Sequence, residues 1–446
     1  MSDTIFALAT APGRAAVAIV RISGPGAREA LLALGVADPK PARARIRRLY
    51  SSDGQPLDTA LTLFFAAPHS YTGEDCAELH LHGGVGVVDG VTDALLRHGL
   101  RLASPGEFTR RAFENDKLDL DQAEAIADLT DAETSAQARQ ALGQLEGQLG
   151  ARYQTWREAL IDALARLEAA IDFPDEEVPA DVAHQARNEL TRLAADLDAA
   201  LADEGRGRRV REGYRVAIMG APNSGKSSLL NALAGREAAI VTPTPGATRD
   251  VIEIPLIVDG YKLLLADMAG IRRTSEAIEA EGVRRARSWA VGADLRLWVV
   301  DRAASEGHWR EAADLVQAGD ICVLNKSDLS AGSDERDALE SARAHGLEMI
   351  LTSVLLDRAA AVNAALSVCV RRNLSGADFP AATRARHESL LREARERLGR
   401  ALTNLDSPEL AAEDARLAAR SLERISGRVG AEDILGRVFA TFCIGK

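Results

Sequence analysis

The period of the apolar positions changes three times along the chain. Up to about Leu118 the runs are short: Val17 to Ile22, Leu61 to Phe65 and Ala77 to His82 read as strands, each bounded by Gly, Pro or Ser clusters. A first α/β domain is expected there. From Asp119 to Gly205 the spacing becomes helical, with Leu160, Leu164, Leu167 and Ile171 four, three and four residues apart and a break at Pro174 and Pro179. Helical spacing returns after about Thr383 (Leu391, Ala394, Leu398, Leu402, Leu405). Between the two helical stretches, Val210 to about Arg372 alternates strand and helix signals, as a parallel sheet with crossover helices requires. The simplest architecture is an α/β domain inserted into a helical one. The expected boundaries are 1–118, 119–209, 210–373 and 374–446. Arg206, Arg208, Arg209 and Arg211 read as a solvated basic hinge leading into the inserted domain.

Composition narrows this picture. The chain has 446 residues, and at about 150 per domain roughly three domains are expected. With 46% hydrophobic and 27% charged residues it matches a folded globular chain and excludes wholesale disorder. The net charge of −12 argues against a protein that coats nucleic acid without specificity, so any RNA contact must be local. Cys76, Cys322, Cys369 and Cys443 lie far apart, with no metal-ligand spacing. No apolar run approaches the length of a membrane span, and the expected location is the cytoplasm.

The strongest chemistry lies in the inserted domain. A short apolar strand, Arg215 to Met219, runs straight into Gly220-Ala221-Pro222-Asn223-Ser224-Gly225-Lys226-Ser227, with a helix expected from about Ser228. This is a P-loop: glycines let backbone N–H groups close around phosphates, Lys226 reaches the β and γ oxygens, and Ser227 offers a hydroxyl to magnesium. A second apolar strand, Ile321 to Leu324, ends in Asn325-Lys326-Ser327-Asp328. A buried carboxylate at Asp328 would accept from guanine's ring N–H and amino group and would be left unpaired by adenine, so guanine is selected. Leu263 to Ala266, the second arm of a hairpin turning at Asp259-Gly260, delivers Asp267-Met268-Ala269-Gly270. Asp267 is the expected magnesium-side acid and the Gly270 amide the γ-phosphate sensor. The next residue is Ile271, so the glutamine that orients water in Ras-type sites is absent and another group must replace it.

Other candidates are weaker. The strand period puts Glu78, His80 and His82 on one face, which a metal could use but which half-buried strands show anyway. Gly427-Arg428-Val429-Gly430 imitates the G-x-x-G clamp of an RNA-binding KH module, but its flanks read as helices and a helix–helix turn is expected.

Stretches that generic GTPases lack give the chain its resemblance. They are Ala11-Pro12-Gly13-Arg14, Arg21-Ile22-Ser23-Gly24, Tyr71-Thr72-Gly73-Glu74-Asp75, Pro105-Gly106-Glu107-Phe108, Asn115-Asp116-Lys117-Leu118-Asp119, Ile171-Asp172-Phe173-Pro174-Asp175-Glu176-Glu177 and Phe442-Cys443-Ile444-Gly445-Lys446. With them the chain resembles, almost end to end, the MnmE (TrmE) family of tRNA modification GTPases, within the TrmE-Era-EngA-like group. The resemblance implies an N-terminal folate-binding and dimerisation domain, a discontinuous helical domain and an inserted Ras-like G domain. It implies a homodimer that, with an FAD-containing partner (MnmG), places an aminomethyl-type group on C5 of the wobble uridine of certain tRNAs. A reduced folate such as 5-formyl-tetrahydrofolate would supply the one-carbon unit, and GTP, magnesium and potassium would complete the cofactors.

By the same resemblance, GTP is bound by Asn223, Ser224, Gly225, Lys226, Ser227, Ser228, Thr242, Thr244, Thr248, Asp267, Gly270, Asn325, Lys326, Asp328 and Ser353. Ser227 and Thr248 match the magnesium positions, Asn223, Thr242, Thr244 and Ala247 the potassium positions, and Glu279 with Lys226 the catalytic ones. Arg21, Glu78, Lys117 and Lys446 match the folate positions. Three departures stand out: Ala247 where the family has Thr, Met268 in place of the Thr of D-T-A-G, and Ser353-Val354 in place of Ser-Ala. A rival class, a ribosome-assembly or signalling switch that only hydrolyses GTP, would leave the first domain and Lys446 without a role.

Overall fold

The structure is a computed structural model that describes residues 3–172, 180–203, 205–237, 253–268, 277–305, 307–376 and 380–427, together with Phe439, Phe442 and Gly445. The chain divides into two compact units. One comprises residues 1–130, 143–198 and 389–446, the other residues 131–142 and 199–388.

The first unit holds a sheet of six described strands: β1 (Ile5–Leu8), β2 (Val17–Ser23), β3 (Arg45–Tyr50), β4 (Pro56–Phe65), β5 (Cys76–His82) and β6 (Arg101–Leu102), in the order β3-β4-β5-β2-β1-β6. Alternation along the strands decides the faces. Val20, Ile22, Ala77, Leu79, Leu81 and Phe64 turn to one side, where Leu31 of the helix Ala27–Ala33 and Leu95 of the helix Val85–Arg97 close a core. The opposite face keeps Glu78 and His80 half-buried and His82 exposed, as the strand period predicts. In the same unit the helix Pro408–Ser426 lies along Gln148–Asp172. Its alanine-rich stripe (Ala411, Ala415, Ala418) lets the backbones come close, opposite Tyr153, Trp156, Leu160 and Leu167. Arg157 closes one margin on Glu423 at 2.6 Å.

The second unit is built on β7 (Tyr214–Met219), β8 (Glu253–Val258), β9 (Tyr261–Asp267), β10 (Leu295–Asp301), β11 (Ile321–Asn325) and β12 (Glu348–Leu351), ordered β12-β11-β10-β7-β9-β8. All described pairings are parallel except the β8–β9 hairpin. The central strands are apolar on both faces, because β10 and β11 are buried almost throughout between two layers of packing. Residues 131–142, far upstream, join this unit: Ala136 enters its core, Gln137 Nε2 donates to the Arg211 carbonyl at 2.9 Å, and Glu133 pairs with Lys262 at 2.5 Å.

Two local expectations change. Residues Arg206–Glu212 form a helix rather than a solvated hinge. Each of its arginines has a carboxylate at hand: Arg206 on Asp203, Arg208 on Glu388, Arg209 on Asp294 and Arg211 on Glu212. The charge run is thus neutralised locally. The P-loop helix starts at Lys226, two residues before the expected Ser228. Of the Gly427–Gly430 stretch, Gly427 ends a helix in the left-handed conformation (φ +80°), and the other three lie outside the described residues.

Candidate functional site: a strand-end nucleotide cradle

Three loops meet at the C-terminal ends of β7, β9 and β11, the edge of a parallel sheet where ligands bind. The first leaves β7 at Gly220, whose φ is +137° and where a Cβ would lie 2.1 Å from the Val299 carbonyl. Only glycine passes this strand so closely. Asn223 takes a left-handed turn at φ +64°, which asparagine tolerates better than most residues. At Gly225 (φ +99°) a Cβ would sit 2.1 Å from Asn325 Nδ2. The glycines therefore serve two purposes: they free backbone N–H groups to face phosphate, and they let the second loop touch the first.

Lys226 opens the helix Lys226–Glu237 and is buried, its Nζ donating to the Ala221 carbonyl at 2.7 Å. That bond folds the ammonium back over the loop it serves. The helix N-terminus adds its partial positive charge on the same side. Ser227 Oγ donates to Asp267 Oδ2 at 2.7 Å, and Asp267 Oδ1 is buried with no partner among the described residues. A hydroxyl and a carboxylate with a spare oxygen are the hard donors that magnesium takes.

The base loop follows β11. Asn325 is buried, donates Nδ2 to the Ser224 carbonyl at 2.9 Å and accepts the Val354 N–H at 3.3 Å. It clamps the P-loop to the loop after β12. Ser353 Oγ donates to Asp328 Oδ1 at 2.6 Å, and this bond holds the Asp328 carboxyl below the usual carboxylate range. Asp328 is exposed rather than buried as the guanine argument supposed, because it lies three residues past β11, on the rim rather than in the sheet. Beside the P-loop, a cavity of about 160 Å³ is walled by Asn223, Asp301, His308, Trp309 and Asp334.

The structure thus brings Asn223, Ser224, Gly225, Lys226, Ser227, Ser228, Asp267, Asn325, Lys326, Asp328 and Ser353 to the loops and helix start at this edge. Thr242, Thr244, Ala247, Thr248 and Gly270 lie outside the described residues. Glu279 falls in the first turn of the helix Ala277–Val291, with its side chain outside the description.

The first unit carries the second cluster. Arg21 and Glu78 stand opposite each other on β2 and β5 and pair at 3.0 Å; His80 Nε2 lies 3.3 Å from the other Glu78 oxygen. The Arg21 guanidinium lies 5.3 Å from the Tyr71 ring centre and 5.9 Å from that of Phe108. Lys117 Nζ donates to the Pro68 carbonyl at 3.1 Å, and its stem lies against Gly73, so it reaches the loop that also carries Tyr71. Lys446 is outside the described residues. His82 turns away to Asp58 at 2.7 Å, so Glu78, His80 and His82 do not converge. The aromatic wall of Tyr71 and Phe108 was missed by sequence reasoning. The Tyr71-Thr72-Gly73 and Glu107-Phe108 motifs were its only signal.

A parallel sheet with a P-loop, a magnesium-type hydroxyl–carboxylate pair and an Asn-Lys-x-Asp base loop at one edge defines a P-loop GTPase. The domain description "MnmE helical domain" matches residues 120–443, and "GTP-binding protein TrmE N-terminus" matches residues 4–117. The chain is 58% identical to the tRNA modification GTPase MnmE of Phenylobacterium zucineum and 56% identical to that of Caulobacter vibrioides, with 100% of both chains covered in each case. It is 48% identical to the MnmE of Maricaulis maris, again over 100% of both chains. The chain belongs to the MnmE family of tRNA modification GTPases. Among the described residues, no helix is long and apolar enough to cross a membrane.

Proposed function

We propose that this GTPase works as a cytoplasmic homodimer with an FAD-containing partner, and that GTP hydrolysis drives modification of C5 of the wobble uridine of certain tRNAs. In this reading residues 1–118 bind a reduced folate and dimerise, 119–209 with 374–446 form the helical domain, and 210–373 form the G domain. The Ser227–Asp267 pair, joined at 2.7 Å across the ends of β7 and β9, carries the hydrolytic part, since it supplies what a magnesium–phosphate complex needs next to a P-loop. Thr248 would add the switch ligand to magnesium. Arg21, Glu78 and Lys117, with Lys446, would hold the folate: Glu78 accepts from the pterin edge, and the cations face the glutamate tail. In a strain lacking this gene, mass analysis of wobble uridines should show the C5 group restored by the wild-type gene and not by Glu78→Ala. Unchanged C5 modification in the deletion strain would instead leave a GTP-controlled switch.

Potassium would supply positive charge beside the β and γ oxygens, where phosphoryl transfer needs it. Asn223, Thr242, Thr244 and the backbone near Ala247 would hold it. The hydroxyl that the family's threonine would bring at Ala247 is missing, so a water or carbonyl takes that place and a higher potassium concentration is needed. GTP turnover should therefore require potassium over sodium at matched ionic strength, and Ala247→Thr should lower the activation midpoint. Asn223→Gly, which keeps the left-handed turn and removes the amide oxygen, should abolish the potassium response. Equal turnover in the two salts would remove potassium from the site.

A further inference from the structure

The geometry points to Asp301 and Arg302 as positioning residues that set guanine recognition without touching the nucleotide. Asp301 is the last residue of β10 and stands directly beside Asn325 in the parallel β10–β11 register. Its Oδ2 takes the Lys326 ammonium at 2.5 Å, while Oδ1 accepts the Ala303 N–H at 3.0 Å. Lys326 itself sits in a left-handed turn at φ +62°, a conformation a lysine holds only when its surroundings impose it. The ion pair is half-buried, 23% exposed on the aspartate and 33% on the lysine, so it is less screened than a surface pair.

Arg302 grips the same loop from its backbone side. Its N–H donates to the Asn325 carbonyl at 3.2 Å and its Nη1 to the Ser327 carbonyl at 3.2 Å. Glu335 fixes the guanidinium through Nη2 at 3.0 Å. Ser327 in turn donates its N–H to the Thr352 carbonyl at 3.1 Å, beside Ser353, which orients Asp328. Every residue of Asn325–Asp328 is therefore tied to the end of β10, to the P-loop or to the loop after β12. Two adjacent residues of opposite charge, neither part of any nucleotide motif, hold the base-reading carboxylate in register. A side chain misplaced by about 1 Å loses much of a hydrogen bond's directional strength.

This inference rests on Asp328 reading the guanine edge. The test measures Kd for GDP, GTP and IDP by displacement of a fluorescent GDP analogue, together with steady-state GTP hydrolysis, in the full chain. Inosine lacks the 2-amino group that would reach Asp328. Asp301→Asn keeps an acceptor for Ala303 and removes the charge that holds Lys326. It should weaken GDP and GTP by the same factor, about tenfold, and shrink the preference for GDP over IDP. The loss should fall on KM rather than kcat, and Asp301→Glu should recover part of it. Arg302→Gln should give the same pattern from the other side. Wild-type affinities and an unchanged GDP/IDP ratio in both variants would overturn the proposal. So would a lower active fraction whose remaining sites bind normally, the result of a purely structural role. A wild-type protein that binds GDP and IDP equally would overturn the base-reading assignment of Asp328 itself, and the brace with it.

Discussion

Asp328→Asn is expected to turn the protein from a guanine to a xanthine nucleotide binder. The carboxylate offers two acceptors to the paired N–H and amino group of guanine, and a charged acceptor makes stronger bonds than a neutral one. Ser353 already donates to one lone pair of Oδ1 and holds the carboxyl below the usual carboxylate range, so the loop is set to accept rather than donate. Asparagine replaces one acceptor with an NH₂ donor, which guanine's amino group cannot meet but the 2-carbonyl of xanthine can. A site built to pair a donor edge rejects an analogue without it by orders of magnitude. GTP affinity should fall by about 10²-fold or more, and XTP affinity should rise until it exceeds that of GTP. Competition titration reads both, and equal affinity of the wild type for ATP and GTP would sink the assignment.

Glu279→Ala is expected to have the largest effect on turnover. The residue after Gly270 is Ile271, so no glutamine follows the third phosphate loop to align the attacking water. Glu279 lies in the first turn of the helix Ala277–Val291, in the charged segment that follows this loop in sequence. Positioned acid–base groups contribute about 10² to 10⁴ in rate. We therefore expect kcat at saturating GTP to fall by about that factor. GTP and GDP affinities should stay near wild type, because the proposed contact is to water and not to the nucleotide. Glu279→Gln, which can orient a water but accept no proton, should fall between the two. An unchanged turnover number would make Glu279 a surface charge and leave the water to another group.

The Asp328 prediction starts from a short motif, the Glu279 prediction from the family resemblance, and the legibility of the motifs has a physical reason. A P-loop is contiguous: strand, glycine turn and helix start follow within a dozen residues. Its meaning therefore survives without tertiary information, from Arg215 to Ser228. Likewise the alternation Glu78-Leu79-His80-Leu81-His82 assigned faces correctly, because side-chain direction in a strand follows from the pleat alone. Apolar spacing found the helix Gln148–Asp172. Of the apolar residues that revealed it, Leu160 and Leu167 are buried while Leu164 and Ile171 remain half-exposed, with Ala163 filling the gap.

What the chain's order alone determined is thus the strands that run into motifs, their terminal loops and the chemistry each loop carries, while β1, β3, β6, β10 and β12 were not read from it. Only the tertiary structure decided which loops meet. Asn325 and Ser224 bond across 101 positions, Ser227 and Asp267 across 40. Asp301 finds Lys326 only because β10 and β11 run parallel with Asp301 beside Asn325. Local periodicity reports on neighbours a turn or a pleat away. Parallel register is set instead by the crossovers and by burial on both faces of the sheet. The same limit explains two readings that changed. Arg208 and Arg209 read as solvated until Glu388 and Asp294 were placed beside them. Asp328 read as buried because its motif follows a buried strand, yet three residues carry the chain from the core to the rim.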